Sequence, residues 1–173
     1  MNIKHIYRKL VINFINSCLC GMHFFKLKRK LLNSVSGINI GDATRIVGPF
    51  WAGTVSEITI GSDTFINRNF SVEGNGKLII GDNVDLGPAV RILTGGHKIG
   101  DNKHRAGEGV LYSIEIKNGT WVGAETTVLG NTIIGEGCVV GAKTLVNKNT
   151  PSNVLIVGHP GRVKRYLENE VME

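Results

Sequence analysis

A period of six residues dominates the middle of this chain. Large aliphatic residues occupy every sixth position of its longest run, and a small or β-branched residue lies two positions before each. An α-helix repeats every ~3.6 residues and an ordinary strand every ~2, so this period fits neither. It predicts short strands joined by corners, with the aliphatic side chains inside and the small residues allowing close stacking. The aliphatic series is Ile116, Val122, Val128, Ile134, Val140 and Val146, preceded by Ile114, Thr120, Thr126, Thr132, Cys138 and Thr144.

Three such sides make one coil, and stacked coils bury a continuous core. Coils begin at residues 40, 60, 80, 116 and 134, which predicts a mainly β solenoid of about five coils. The spacings place a two-residue bulge in two coils and an excursion within residues 96–113 in a third. That excursion is polar and glycine-rich, and we expect a protruding loop. Left-handed corners, which suit Gly and Asn, are expected at Gly123, Gly135 and Gly141, and equivalently at Asn67 and Asn147.

The two ends of the chain lack this period. Residues 2–19 carry apolar side chains at helical spacing, and a second, basic helical piece is expected around residues 23–33. After Pro151 we expect a short extended run and then a helix over residues 162–172. The predicted organisation is a helical arm (1–35), a β-helix (36–150) and a C-terminal segment (151–173).

Charge is concentrated in the arm. Residues 1–33 contain seven of the 20 Lys and Arg residues and none of the 14 Asp and Glu residues. The β-helix is therefore nearly neutral, which argues against nucleic-acid binding. The arm is predicted either to cap the open first coil or to meet an anionic membrane as well. Three cysteines form no framework and favour a reducing cytoplasm, and no apolar run is long enough to span a bilayer.

Four motifs carry a family resemblance: Thr94-Gly95-Gly96-His97 before the excursion, residues 119–124 (GTWVGA), Val140-Gly141-Ala142, and residues 157–163 (VGHPGRV). Over residues 38–165 the chain resembles the hexapeptide-repeat acyltransferases, and most closely their galactoside, maltose and polysaccharide O-acetyltransferase branch. The resemblance implies a left-handed parallel β-helix, a homotrimer with clefts between neighbours, and acetyl-CoA as co-substrate without a metal. A zinc site would need three histidines, and only His97 and His104 are expected near each other.

The resemblance also implies roles for individual residues. His97 would be the general base, for which an imidazole has a suitable pKa. The backbone N–H of Ala124 would stabilise the oxyanion. Asn67 would contact the acceptor or orient the catalytic groups, although a left-handed corner is an equally good reason for an asparagine there. Asn75 stands where related sugar enzymes often have an acidic residue, and His104 would contact acceptor or solvent.

The resemblance implies that residues in the last two coils, and residues that follow them, bind coenzyme A. The backbone of Ala142 would bond the pantetheine, alongside Ala124. Basic side chains are natural partners for the phosphates, and a solvated basic tail is the competing interpretation. The residues are Asn147, Lys148, Arg162 and Arg165.

The hypothesis is therefore transfer of acetyl to a saccharide hydroxyl, in surface polysaccharide biosynthesis. Two alternatives remain open at this point. One is N-acetylation of an amino sugar or acetylation of a xenobiotic such as an antibiotic. The other is a non-catalytic β-helix scaffold, which would need neither His97 nor coenzyme A.

Overall fold

The computed structural model describes residues 3–168. Two helices, α1 (Ile3–Cys18) and α2 (Phe25–Asn33), precede a parallel β-helix with three faces. Face A contains β1 (Ile38–Ile40), β4 (Glu57–Ile60), β7 (Lys77–Ile80), β12 (Ser113–Ile116) and β15 (Ile133–Ile134). Face B contains β2 (Arg45–Ile46), β5 (Phe65–Ile66), β8 (Asp85–Leu86), β13 (Trp121–Val122), β16 (Val139–Val140) and β18 (Val154–Gly158), with β19 (Gly161–Tyr166) at its end. Face C contains β3 (Phe50–Ala52), β6 (Phe70–Glu73), β9 (Arg91–Leu93), β14 (Thr127–Leu129) and β17 (Leu145–Val146).

Strand register confirms the coil spacing that the period predicted. On face A, residues 40, 60, 80, 116 and 134 pair successively with one another, across bulge and excursion alike. Five coils are complete, and β18 begins a sixth on face B. The aliphatic series is fully buried, and so are the threonines two positions before it. These threonines also satisfy the stacked backbone: Thr120 Oγ1 donates to the Gly135 carbonyl at 2.9 Å, and Thr64 Oγ1 to that of Gly81 at 2.9 Å.

The predicted positions of the left-handed corners were wrong. Positive φ occurs at the third residue after the buried aliphatic, for example at Asn69 (61°), Glu125 (58°) and Lys143 (59°). The glycines directly after the aliphatic residues, and Asn67 and Asn147, do not have positive φ. Stacking explains those glycines instead. A Cβ on Gly123 would lie 2.6 Å from the backbone nitrogen of residue 142 in the next coil.

The excursion is a β-hairpin rather than an irregular loop. Strands β10 (Gly95–Ile99) and β11 (Ala106–Leu111) pair antiparallel, with His97 opposite Gly109. At its base, the N–H of Tyr112 donates to the Thr94 carbonyl at 2.9 Å and returns the chain to the coil.

The C-terminal helix predicted over residues 162–172 is wrong where the structure describes the chain. Residues 161–166 form β19, which runs antiparallel to β18 with Val157 opposite Arg162. Gly158, at a φ of 106°, and the following His159-Pro160 pair reverse the chain tightly enough to form a hairpin. Val163 and Tyr166 suit this strand, because β-branched and aromatic residues are enriched in strands. Residues 169–172 of that prediction lie outside the described residues.

The arm caps the first coil, whose strands have no coil beneath them. Asn16 on α1 bonds both the N–H (2.9 Å) and the carbonyl (2.8 Å) of Phe50, replacing a missing strand neighbour. Asn33 on α2 does the same for Ile40, at 2.7 and 2.9 Å. Ile15 and Leu32 extend the core into the arm. The open end of the β-helix is therefore closed by side-chain amides and an apolar helix face.

Two of the arm's basic residues also belong to this cap. Lys28 is fully buried, and its Nζ donates to the carbonyls of Gly21 at 2.7 Å and Val47 at 3.0 Å. Arg8, also buried, donates to the carbonyl and hydroxyl of Ser56 at 2.9 and 2.7 Å. Burial lowers the pKa of both groups, and a Coulombic interaction with Cys20 partly offsets this effect for Lys28. These cations stabilise the first coil and do not face solvent.

Candidate active site

The side chain of His97 is oriented by the backbone of its own hairpin. Its Nδ1 atom lies 2.8 Å from the carbonyl oxygen of Gly107 on the opposite strand. A carbonyl oxygen can only accept a hydrogen bond, so Nδ1 carries the proton and Nε2 keeps its lone pair. The residue is exposed, so the basic nitrogen is open to an incoming hydroxyl group. His104 lies at the hairpin turn, where its N–H donates to Asp101 Oδ1 at 3.0 Å.

Three other predicted residues lie along one edge of the prism, where face B turns into face C. We call this the BC edge, comprising residues 67–69, 87–89, 123–125 and 141–143. Successive coils stack here very closely, since a Cβ on Gly87 would lie 2.6 Å from the nitrogen of Ala124. Asn67, Ala124 and Ala142 therefore form a line that runs parallel to the solenoid axis.

The BC edge presents free backbone donors. Within residues 3–168, the N–H groups of Ala124 and Ala142 have no hydrogen-bond acceptor, whereas the neighbouring N–H of Glu125 donates to Pro88 at 2.8 Å. The two free donors lie one coil apart, about 4.8 Å along the axis. Such a pair can bind carbonyl oxygens or a developing oxyanion without reorganisation.

Basic residues gather at the C-terminal end of the solenoid. A cavity of about 230 Å³ is lined by Asn147, Lys148 and Arg162 together with the turn after β17. The hairpin β18–β19 brings Arg162 beside residues that precede it by some 14 positions in sequence. Arg165 lies further along β19, opposite Leu155, and does not line this cavity.

Comparison with known proteins identifies the family. Residues 113–148 match the family model described as "Bacterial transferase hexapeptide (six repeats)". The galactoside O-acetyltransferase of Escherichia coli strain K12 is 30% identical over 142 residues, which cover 82% of this chain and 70% of that protein. The chain belongs to the hexapeptide-repeat acetyltransferases.

Solved structures of this family share the fold. A hexapeptide-repeat acetyltransferase from Vibrio cholerae O1 biovar eltor, complexed with acetyl coenzyme A, superposes with a TM-score of 0.85 at 26% identity, covering 96% of this chain and 88% of that one. A galactoside acetyltransferase in complex with coenzyme A superposes with a TM-score of 0.83 at 25% identity, over 95% and 81%. The solenoid is a left-handed β-helix of the acetyltransferase type.

The two predicted acceptor asparagines of this acetyltransferase differ in their surroundings. Among the described residues, Asn67 Oδ1 accepts only from the adjacent N–H of Arg68, at 2.8 Å, and no left-handed corner accounts for the residue. Asn75 Oδ1 accepts from the N–H of Val55 (3.2 Å) and the hydroxyl of Thr54 (3.3 Å), which ties two coils together. Structural bonds therefore occupy the oxygen of Asn75 and leave Asn67 the more adaptable of the two.

A single chain of this acetyltransferase does not bring its predicted catalytic groups together. The hairpin with His97 leaves the prism where face C turns into face A, as does the Asn75 turn one coil below. We call this the CA edge, comprising residues 53–56, 73–76, 94–112 and 147–150. Ala124 lies on the BC edge, so the width of face C separates it from the hairpin base.

Sequence reasoning missed a groove of about 600 Å³ on face C itself. It spans the first three coils, and its signal was available in the sequence as an outward-facing row spaced by 20 residues. The described residues contain no cluster of three or more His, Cys, Asp or Glu side chains that could hold a metal ion. The groove is lined by Trp51, Asn69, Ser71, Glu73, Ala89, Arg91 and Leu93.

Proposed function

We propose that this protein transfers acetyl from acetyl-CoA to a hydroxyl group of a saccharide, with His97 as the general base. The observation that carries the proposal is the bond from His97 Nδ1 to Gly107, which leaves Nε2 as a free base in an exposed hairpin. The kinship with galactoside O-acetyltransferases supports both the donor and the acceptor class.

The reaction needs one base and one oxyanion donor. Nε2 of His97 removes the proton of the acceptor hydroxyl as its oxygen attacks the thioester carbonyl. The free N–H of Ala124 donates to the oxygen that becomes negative. Collapse of the tetrahedral intermediate breaks the carbon–sulfur bond, and the leaving thiolate takes the proton from the imidazolium. Acetylated acceptor and free coenzyme A leave, and no acyl-enzyme forms.

Coenzyme A fits the chemistry of two surfaces. The free N–H of Ala142 would donate to a pantetheine carbonyl one coil beyond Ala124. The cavity that holds Asn147, Lys148 and Arg162 offers two cations for phosphate groups. Arg165, outside that cavity, would meet the nucleotide only at its outer rim.

A homotrimer would complete each site. His97 and Asn75 lie on the CA edge and Ala124, Ala142 and Asn67 on the BC edge, so one chain would supply the base and its neighbour the oxyanion donor. A contact between two different surfaces of identical chains closes into a ring when the rotation is one third of a turn. Three equivalent clefts would then hold three acetyl-CoA molecules.

The acceptor is proposed to be a saccharide used in surface polysaccharide assembly. Asn67 retains free hydrogen-bonding capacity for sugar hydroxyls, and His104 at the hairpin turn is exposed. N-acetylation of an amino sugar or a xenobiotic would use the same base, so the acceptor class must be tested directly.

A thiol-release assay with acetyl-CoA tests this function. The panel contains mono- and oligosaccharides, matched amino sugars and an aminoglycoside, and mass spectrometry locates the new acetyl group. The proposal predicts release that depends on a saccharide and an ester product. An amide product would support the N-acetyl alternative instead. No release with any acceptor, together with no binding of coenzyme A, would leave the scaffold alternative.

Attachment to an anionic membrane is a further part of the proposal. No helix among the described residues is long and apolar enough to cross a bilayer. The arm nevertheless exposes an apolar row on α1, where Ile3 is 79% and Leu10 61% exposed, and Phe24 between the helices is 60% exposed. Lys9, Lys26 and Lys30 of the same arm are exposed too, and residues 3–33 contain no acid to oppose them. Such a surface can bury its apolar side chains among lipid headgroups.

Vesicle co-sedimentation tests the attachment. The structure selects the lysines, because Lys28 is buried and Arg29 pairs with Asp42 at 3.3 Å. Salt-sensitive binding to phosphatidylserine vesicles, lost when Lys9, Lys26 and Lys30 become Gln, is the expected result. A control variant with Gln at Lys77, Lys103 and Lys117, all outside the arm, should still bind. Equal recovery in the supernatant with and without vesicles would leave the arm as a cap only.

A further inference from the structure

The groove on face C carries two exposed charges of opposite sign, Glu73 and Arg91, which lie two residues apart along neighbouring strands. Arg91 is the first residue of β9 and follows the BC edge, whereas Glu73 is the last residue of β6 and begins the CA edge. Both are exposed, and within residues 3–168 neither side chain makes a hydrogen bond or ion pair. The two are also one coil apart, about 4.8 Å along the axis.

The proposed division of the site between two chains determines which face is turned inward, and the inference rests on that proposed function. Each chain must bring its CA edge to the BC edge of the next chain. In a ring of three triangular prisms, the face between the two contacting edges is turned toward the threefold axis. That face is C. The opposite arrangement, with face C outward, places the two edges at the periphery, where neighbouring edges diverge and His97 could not approach Ala124.

We infer that face C is the inner wall of the trimer and that Arg91 of each chain pairs with the partner subunit's Glu73. The CA end of one face meets the BC end of the next, so the carboxylate of one chain arrives beside the guanidinium of its neighbour. The pairing also prevents three like-charged guanidiniums from facing one another unneutralised around the axis. Trp51, 45% exposed and in the same groove, is covered by the same contact.

Charge reversal with rescue tests the pairing. Arg91→Glu and Glu73→Arg each place two like charges together at all three contacts of the ring. Each should raise the protein concentration at which half of the trimer has dissociated, on the order of tenfold or more. The double variant, Arg91→Glu with Glu73→Arg, restores opposite charges and should restore the trimer. Lys117→Glu, a reversal on the edge between faces A and B, should leave the trimer intact. Mass is measured by light scattering, and circular dichroism checks that each variant is folded.

The outcomes separate this inference from the proposed function. Trimeric single variants that match Lys117→Glu would overturn the pairing and leave the activity assay untouched. A double variant that remains dissociated while folded would also overturn it. Rescue of the trimer by the double variant would support the inner wall even if no acetyl transfer to saccharides were found.

Discussion

The Nδ1 atom of His97 lies 2.8 Å from the backbone carbonyl of Gly107, ten residues further along the same hairpin. The bond fixes both the tautomer and the ring plane of an exposed histidine. No carboxylate is needed for this, because the antiparallel pairing of β10 and β11 positions the acceptor. The basic nitrogen is therefore prepared by local backbone structure alone.

Removal of the Ala124 N–H should slow acetyl transfer. Ala124→Pro deletes the donor, and the fold should accept the change because Pro88 already occupies the equivalent corner one coil earlier. We expect kcat to fall by about 10²–10³, the usual cost of losing one oxyanion donor. Asp42→Pro, at the equivalent corner position on a different edge, is the control and should retain activity. Unchanged turnover in Ala124→Pro would remove this N–H from the mechanism.

Arg162 should act on coenzyme A rather than on the chemistry. Arg162→Ala removes a cation from the cavity that it shares with Lys148. The KM for acetyl-CoA should rise by about 10- to 100-fold, as expected for a charged hydrogen bond of about 1.5–3 kcal/mol, while kcat changes less. Lys164→Ala, on the same strand but outside the cavity, provides the comparison in steady-state kinetics. Equal effects of the two substitutions would indicate a solvated basic tail.

Close stacking of coils should make Gly61 intolerant of any side chain. A Cβ there would lie 2.6 Å from the carbonyl carbon of Gly81. Gly61→Ala should lower the free energy of unfolding by about 1–3 kcal/mol through overpacking. Gly109→Ala in the hairpin has no atom within 4 Å and should change it by less than about 0.5 kcal/mol. Denaturant melts measure both, and similar values would refute the stacking explanation.

The buried amine of Lys28 should make the cap more stable in alkali. Burial lowers the pKa of Lys28, so between that lowered pKa and the ordinary value of about 10.4 the unfolded chain binds more protons than the folded one. Stability contributed by this group therefore rises with pH across that window. The neutral amine still has two protons for the carbonyls of Gly21 and Val47.

Chemical denaturation of the wild type and of Lys28→Met at several pH values measures this effect. The wild-type free energy of unfolding should rise relative to that of Lys28→Met as the pH approaches 10. A constant or falling difference would show that the ammonium is not penalised by burial.

The solenoid was predictable because its period lies in local sequence. Every sixth residue from Ile116 to Val146 is buried in the same environment, so the role of one residue predicts that of the residue six positions later. The predicted corners were misplaced because a glycine required for close stacking of coils cannot be told in sequence from a glycine required for positive φ. Gly123 is needed where two coils approach, whereas Glu125 adopts positive φ without being glycine.

The unpredicted features depend on contacts between distant segments. In sequence, Lys28 and Arg8 do not differ from the other basic residues of the arm, because their partners, Val47 and Ser56, are 19 and 48 residues away. The sequence around Arg162 predicts a terminal helix. These residues form a strand because the chain reverses at residues 158–160 and pairs them with β18. The site residues themselves came from a resemblance, and neither composition nor periodicity separates Ala124 from any other small residue of a coil.

Turnover of His97→Ala is the measurement that tests the account most directly. With acetyl-CoA and the best saccharide acceptor, kcat should fall by about 10²–10⁴, the contribution of a positioned base, while the affinity for coenzyme A and the oligomeric mass stay near those of the wild type. Lys103→Ala, in the same hairpin, controls for disturbance of the loop. A His97→Ala protein that turns over at the wild-type rate would contradict the assignment of the base.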